Sequence, residues 1–265
     1  MNVLDFKKMK QEGRPLTMVT CYDAWSAKII EQSEIDLVLV GDSCAMVMHG
    51  HTSTLSATTE MMAFHTSAVA RGLGPATKKF LIADMPFPWF RKGVPGAMDC
   101  VDALMKAGAH AVKLEGLDGH EDVVSAIVGS GVPVMGHIGL TPQSVHQLGG
   151  FKVQGRDDRV AENLIKQAKR LEELGACSVV LECVPSHLAA NITAELSIPT
   201  IGIGAGASCD GQVLVLHDML GLNIDFKPKF VRTFATGKET VLQALNQYHR
   251  GVLDHTFPTE QESYS

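Results

Sequence analysis

The sequence predicts an α/β fold, a (β/α)₈ TIM barrel formed as a single domain over residues 1–265. Three observations predict it. Eight short apolar runs recur along the chain, stretches with helical periodicity separate them, and acidic residues collect where the runs end. The runs are Leu16–Thr20, Leu37–Val40, Phe80–Ala83, Ala109–Leu114, Val132–Gly136, Ser178–Leu181, Thr200–Ile203 and Gln212–Leu216. Each has the length of a strand and is rich in Val, Ile or Leu, as parallel strands buried on both faces require. The length of 265 residues suits one barrel of this kind.

The segments between the runs carry helix signals. Asp157-Asp158 open a stretch in which Val160, Leu164, Ile165, Ala168, Leu171 and Leu174 keep the spacing of one buried stripe, and Gly175 closes it. Gly108-Ala109 and Gly175-Ala176 repeat the same junction from helix to strand, a weak internal repeat. No linker rich in Pro or Ser divides the chain, and residues from about 255 to 265 read as a short polar tail. Two connections are long. Residues 42–58 precede a helix near Thr59–Arg71, and residues 138–156 contain Gly139, Gly149, Gly150 and Gly155. Both follow strand C-termini, the face on which barrel enzymes build their sites, so both are candidate lids.

Composition narrows the function classes. With 45% hydrophobic and 20% charged residues the chain is an ordinary globular one. A formal charge of −6 gives no reason to expect nucleic acid or an anionic membrane as partner. An acidic chain that binds an anionic substrate needs a local cation, either a metal or a placed Lys. The six cysteines form no CxxC pair, which speaks against zinc and for a reducing, cytoplasmic location. The first ten residues are too polar for a signal peptide, and no run of about 18 apolar residues is present to span a membrane.

Chemistry gathers at the strand ends. Strand two ends Val40-Gly41-Asp42-Ser43, strand three Ile82-Ala83-Asp84, and strand four reads Val112-Lys113-Leu114-Glu115. Strand five ends at His137 and strand six reads Val180-Leu181-Glu182. Side chains alternate along a strand, so Lys113 and Glu115 share a face. Four carboxylates (Asp42, Asp84, Glu115, Glu182) and one Lys converge on one mouth. Rim solubility is the bland explanation. Against it, these charges abut apolar runs, where an unpaired charge is costly. Acidic oxygens without suitable His or Cys partners select a hard cation, with Mg²⁺ the default. A 2-oxo acid would chelate such an ion, which would polarise the keto oxygen and stabilise an enolate. Lys113 can face the substrate carboxylate or simply pair with Glu115. His137 can contact substrate or serve as a structural hydrogen-bonder. Gly202, Gly204 and Gly206 do not fit the GxGxxG pattern of a Rossmann site.

The ordered motifs carry a resemblance. Val40-Gly41-Asp42-Ser43, Ser53-Thr54-Leu55, Ala83-Asp84-Met85-Pro86-Phe87, Val112-Lys113-Leu114-Glu115-Gly116, Gly136-His137-Ile138-Gly139-Leu140-Thr141-Pro142-Gln143-Ser144, Leu181-Glu182-Cys183-Val184-Pro185 and Ile201-Gly202-Ile203-Gly204-Ala205-Gly206 resemble the ketopantoate hydroxymethyltransferase family. The likeness runs from about residue 7 to residue 235. It implies a barrel of the phosphoenolpyruvate/pyruvate group that converts 3-methyl-2-oxobutanoate and 5,10-methylenetetrahydrofolate into 2-dehydropantoate and tetrahydrofolate, toward pantothenate. It implies that Asp42, Asp84 and Glu115 hold Mg²⁺, that Ser43, Asp84 and Lys113 face the oxo acid, and that Glu182 accepts a proton; Asp42 and His137 are further candidate substrate contacts by their place at the mouth. It further implies a cytoplasmic homo-oligomer, a homodecamer by family habit. Two other readings use the same residues or fewer. One is an oxo-acid C–C or C–P lyase or mutase of the same barrel group, which needs the same metal and carboxylates. The other is a non-catalytic metabolite-binding barrel, for which Glu182 has no use.

Overall fold

Strands that are apolar on both faces need cover on both, and this chain obtains it by closing its sheet on itself. The computed structural model describes residues 1–223 and 228–264. In it eight parallel strands pair in sequence order, and β8 returns to β1. They are β1 (Leu16–Thr20), β2 (Leu37–Val40), β3 (Phe80–Asp84), β4 (Ala111–Glu115), β5 (Val134–Gly139), β6 (Ser178–Glu182), β7 (Thr200–Ile203) and β8 (Gly211–Leu214). Helix α1 (Val3–Gln11) precedes the barrel. Helices α2 (Ala24–Glu31), α3 (Cys44–Val47), α4 (Thr59–Leu73), α5 (Gly93–Lys106), α6 (Glu121–Gly129), α7 (Val145–Leu148), α8 (Asp158–Glu173) and α9 (Ser186–Glu195) fall between strands β1 and β7. The described residues divide into two compact units, Met1–Val215 with the barrel and Leu216–Ser265. The second unit holds α10 (Leu216–Met219) and α11 (Gly237–Leu253), and no residue of α11 is buried.

Four strands run further than their apolar runs predicted, to Asp84, Glu115, Gly139 and Glu182. The ladder is built from backbone groups, so a charged side chain does not end it. Asp84 pairs with Lys113, Glu115 with His137, and Gly139 with Glu182. Two strands start later than predicted. The N–H of Ala109 donates to Leu104 and that of Val132 to Ile127, so both still close the preceding helix. The regular βα alternation also fails once. Residues 204–210 carry β7 to β8 without a helix; the stretch is too short for one, and Gly204 and Gly206 turn it at φ 64° and 87°. Asp210 pins this connection by accepting hydrogen bonds from the Thr200 N–H (2.8 Å) and the Lys10 ammonium (2.9 Å).

The interior is layered along the barrel axis. Phe6 and Met9 of α1 pack with Leu16, Met18, Leu37, Leu39, Phe80, Ile82, Ala111, Met135, Val180, Ile201 and Val213 in one buried cluster. These strand residues recur at every second position, which identifies the inward face. One step further along the same face stand Asp84 after Ile82, Lys113 after Ala111, His137 after Met135 and Glu182 after Val180. Among the described residues no helix is long and apolar enough to cross a membrane, and all six cysteines are free.

Closure puts Gly211 where a Cβ would lie 2.5 Å from the Leu16 carbonyl oxygen and 2.7 Å from Ile201 Cδ1. Gly211→Ala is therefore expected to destabilise by about 1–3 kcal/mol, as overpacking does. In Gly129→Ala the added methyl meets nothing within 4 Å at the end of α6. That change should be neutral or stabilise by up to ~1 kcal/mol. Urea unfolding of both variants checks the contrast, and equal effects would refute it.

Candidate active site

The inward face of the strands delivers Asp84, Lys113, Glu115 and His137 to the mouth with 2–4% of each residue exposed. Asp42, just past β2, is equally buried at 4%. The five groups form one network. The Lys113 ammonium pairs with Asp84 Oδ1 at 2.8 Å rather than with Glu115. Asp84 Oδ2 accepts from the Asp42 N–H at 3.0 Å. His137 stands at the centre, its Nδ1 3.2 Å from Lys113 Nζ and 3.6 Å from Glu115 Oε1, its Nε2 3.2 Å from Glu182 Oε2. The Glu182 side chain, 17% exposed, is the member that reaches the open mouth.

Burial and mutual repulsion set the charge state. Burial first, then the charges of Glu115 and Asp84, push the Asp42 carboxyl well above the usual carboxylate range. Burial would raise Glu115 too, but His137, Lys113 and the Gln143 N–H outweigh it and hold Glu115 below that range. Burial would lower Lys113, yet Asp84, Glu115 and Asp42 outweigh it and keep the ammonium charged. Burial and Lys113 likewise push His137 down, while its contacts with Glu115 and Glu182 lift it to about 9. His137 and Lys113 thus share the same surrounding carboxylates, which lift both against the effect of burial.

The loops complete the site with residues that the sequence reading missed. Gln143, 3% exposed, sits in the turn Pro142–Ser144 after β5. Its Nε2 donates to Asp42 Oδ2 at 2.9 Å and to the Met85 carbonyl at 3.0 Å, and its backbone N–H donates to Glu115 Oε2 at 2.9 Å. Ser43 is half-buried and shares a 2.8 Å hydrogen bond with the hydroxyl of Tyr22, a fully buried residue just beyond β1. Tyr22 follows a strand end, a positional signal; Gln143 lay within a quoted motif and had no role there. Behind Glu182, Cys183 adopts a left-handed φ of 48°. That conformation costs a non-glycine residue about 1–3 kcal/mol. It is held by the Cys183 N–H donating to Ile203 and the Gln154 N–H donating to the Cys183 carbonyl, both at 2.9 Å.

The two long connections are not open loops. Residues 42–58 contain α3 and the turn Thr54–Ser56, and residues 138–156 contain the turn Pro142–Ser144 and α7. The two turns pack against each other above the acidic cluster. Beside Glu115 lies a cavity of about 350 Å³ whose walls include Arg91, Asp118, His120, Asn163 and Gln167. Asp118 accepts hydrogen bonds from Gln167 (2.8 Å) and Asn163 (3.4 Å). Arg91 lies over the Phe87 and Phe90 rings and donates to Ser144 Oγ at 3.2 Å, tying the β3 and β5 connections together.

This mouth fits a hard cation. Four carboxylates face Lys113 and His137, the donors are oxygens, and burial together with the neighbouring carboxylates raises Asp42. Gln143 Oε1 is buried with no hydrogen-bond partner among the described residues. No three His, Cys, Asp or Glu groups among the described residues converge to ligate one point. The fit is therefore to an ion that keeps several waters and takes few protein oxygens, as Mg²⁺ does.

A family model for ketopantoate hydroxymethyltransferase matches residues 1–260. The chain belongs to that family. A Bdellovibrio bacteriovorus protein named 3-methyl-2-oxobutanoate hydroxymethyltransferase is 58% identical over 263 residues, 99% of each chain. Among solved structures, the fold is similar to that of phosphoenolpyruvate phosphomutase from Streptomyces platensis subsp. rosaceus. The TM-score is 0.64 at 12% identity, over 97% of this chain and 88% of that one. Phosphonopyruvate hydrolase, in a complex with oxalate and Mg²⁺, gives a TM-score of 0.61 at 11% identity over 99% and 93%. At such identities these structures show the barrel fold alone. The ketopantoate hydroxymethyltransferase match, by contrast, spans the whole site.

Within this family member the Lys113–Asp84 pair should behave as a buried ion pair. Lys113→Met is expected to cost about 3–5 kcal/mol, because the buried Asp84 carboxylate loses the cation that pairs with it. Adding Asp84→Asn should recover part of that loss. Denaturant unfolding without added metal measures both. A single-variant cost below about 1 kcal/mol, or no recovery in the double variant, would contradict the pairing.

Proposed function

We propose that the chain transfers a hydroxymethyl group from 5,10-methylenetetrahydrofolate to 3-methyl-2-oxobutanoate, with Mg²⁺ as cofactor. The products are 2-dehydropantoate and tetrahydrofolate, with one water consumed overall, in pantothenate biosynthesis. The observation that carries the reading is the unbroken network from Asp42 to Glu182. It sets a partly exposed carboxylate beside a buried polar cluster suited to an oxo acid. The full-length relative that bears the corresponding name supports it.

Each residue has a task. Asp42, Asp84 and Glu115 would hold Mg²⁺, which when bound supplies Lewis-acid polarisation of the keto oxygen. Lys113 faces the substrate carboxylate as its charge partner, with Ser43 and His137 orienting the bound acid. Glu182 takes the proton from C3, and the ion pair it makes with His137 fixes the direction of its carboxylate. The C3 carbon then attacks the methylene carbon of the folate as one of its two C–N bonds breaks. Water displaces the second nitrogen and supplies the hydroxyl, and the two freed nitrogens take up the proton from Glu182 and the one from water. The cavity beside Glu115 supports a seat for that donor beneath the 138–156 connection, with Asp118, Asn163 and Gln167 as hydrogen-bonding wall. Such a cover excludes water from the enolate. The same family reading makes the protein a cytoplasmic homodecamer, to be tested by its sedimentation mass.

Two outcomes are expected. In D₂O, Mg²⁺ and 3-methyl-2-oxobutanoate alone should exchange the C3 proton, followed by NMR. Glu182→Gln should slow this by about 10²–10⁴-fold, and chelation should stop it. Exchange that survives chelation, or a loss under tenfold in the variant, would count against the assignments. The double variant Asn163→Ala/Gln167→Ala should raise the KM for the folate several-fold and leave exchange intact. An unchanged KM would remove the donor from this cavity.

A further inference from the structure

Gln143 touches three strand ends of the acidic cluster at once, two through its side chain and one through its backbone, and it does so from a loop. Through Nε2 it binds Asp42 beyond β2 and the Met85 carbonyl beyond β3; through its backbone N–H it binds Glu115 on β4. A neutral carboxamide here has a specific consequence. Its two N–H bonds are spent, one on a carboxylate and one on a carbonyl, so its orientation is set. Oε1 must then point away from both, and it is buried without a partner among the described residues. A buried carbonyl oxygen left unpaired costs about 1–3 kcal/mol, so an acceptor placed in this way implies a donor that arrives with a ligand.

The surroundings say what kind of donor. The groups that Gln143 is seen to contact, two carboxylates and a carbonyl, all accept its hydrogen bonds, and none donates to Oε1. Thr54 Oγ1 is a second buried polar atom without a partner among the described residues, and its turn packs against that of Gln143. Two unmatched polar atoms on adjoining turns above a carboxylate-rich cluster match a hydrated cation better than a bare one. Mg²⁺ retains several of its waters, and each such water donates strongly.

We propose that Gln143 is a positioning residue of the cation site. Its Nε2 and N–H hold Asp42 and Glu115 in place, and its Oε1 accepts a hydrogen bond from a water carried by the divalent ion. This rests on the reading of the cluster as a Mg²⁺ site. Gln143 ligates nothing and touches no reacting atom; it acts through Asp42, Glu115 and the bound water. Partners of this kind change metal affinity by about 10–100-fold when removed.

The test is calorimetric titration of Mg²⁺ into the intact protein saturated with 3-methyl-2-oxobutanoate, with no turnover involved. Gln143→Leu keeps the volume and loses both donor and acceptor. It should weaken Mg²⁺ about 10–100-fold while the melting temperature stays within a few degrees. In an Asp42→Asn background the same change should cost much less, because the group it positions is already gone. If Gln143→Leu does not fold, Gln143→Ala is read by the same criteria. Parent-like Mg²⁺ affinity in the folded variant overturns the proposal and leaves the Mg²⁺ reading standing. An equal loss with and without Asp42 also overturns it, since a general packing defect would be additive. A parent protein that binds no Mg²⁺ overturns both.

Discussion

Lys113 and Asp84 lie 2.8 Å apart with 5% and 4% of their side chains exposed, and the upper interior of the barrel is arranged around them. Taking two charges out of water costs several kcal/mol each, and a single contact does not repay that. The pair persists because its neighbours complete it. The Asp42 N–H supports Asp84, while His137 and Gln143 support Glu115. Below this layer the inward face carries an apolar cluster that Phe6 and Met9 join. The barrel thus changes within one residue step from hydrophobic packing to a wired polar cluster, and that boundary fixes the depth of the site.

The network also divides labour between strands and their connections. Charged groups come from strand ends, whose positions the ladder dictates. Their orientation comes from connections: Gln143 from the β5 loop, Tyr22 on Ser43, and the Arg91–Ser144 contact that ties two loops together. Strain is placed where it aims a side chain. At Gly139, φ 94°, a Cβ would lie 2.3 Å from the Glu182 carbonyl oxygen, and Cys183 turns left-handed immediately after Glu182. The backbone on both sides of that carboxylate has little freedom.

Barrel and chemistry separate cleanly in this family. Structures at 11–12% identity share the strands and their order, and nothing about their reactions transfers through that likeness. What distinguishes the present chain lies at the mouth, in which side chains the strand ends carry and which loop residues reach down to them.

Much of this was legible without coordinates. Period-two alternation and strand-length apolar runs are local properties, so eight strands, their order and the inward position of Lys113 and Glu115 follow from the residues themselves. The resemblance in ordered motifs likewise named the family. Tertiary structure decided the partners. Lys113 and Glu115 share a face but stand two residues apart along one strand, about 6.6 Å of rise, whereas neighbouring strands lie about 4.8 Å apart. The register that sets Asp84 beside Lys113 therefore settles which carboxylate takes the ammonium. The missing helix between β7 and β8 depended on how Asp210 could anchor a short return. Gln143 reaches Asp42 from 101 positions away. No local pattern encodes such a contact, because it exists only once the barrel has closed and brought the β2 and β5 connections to the same mouth.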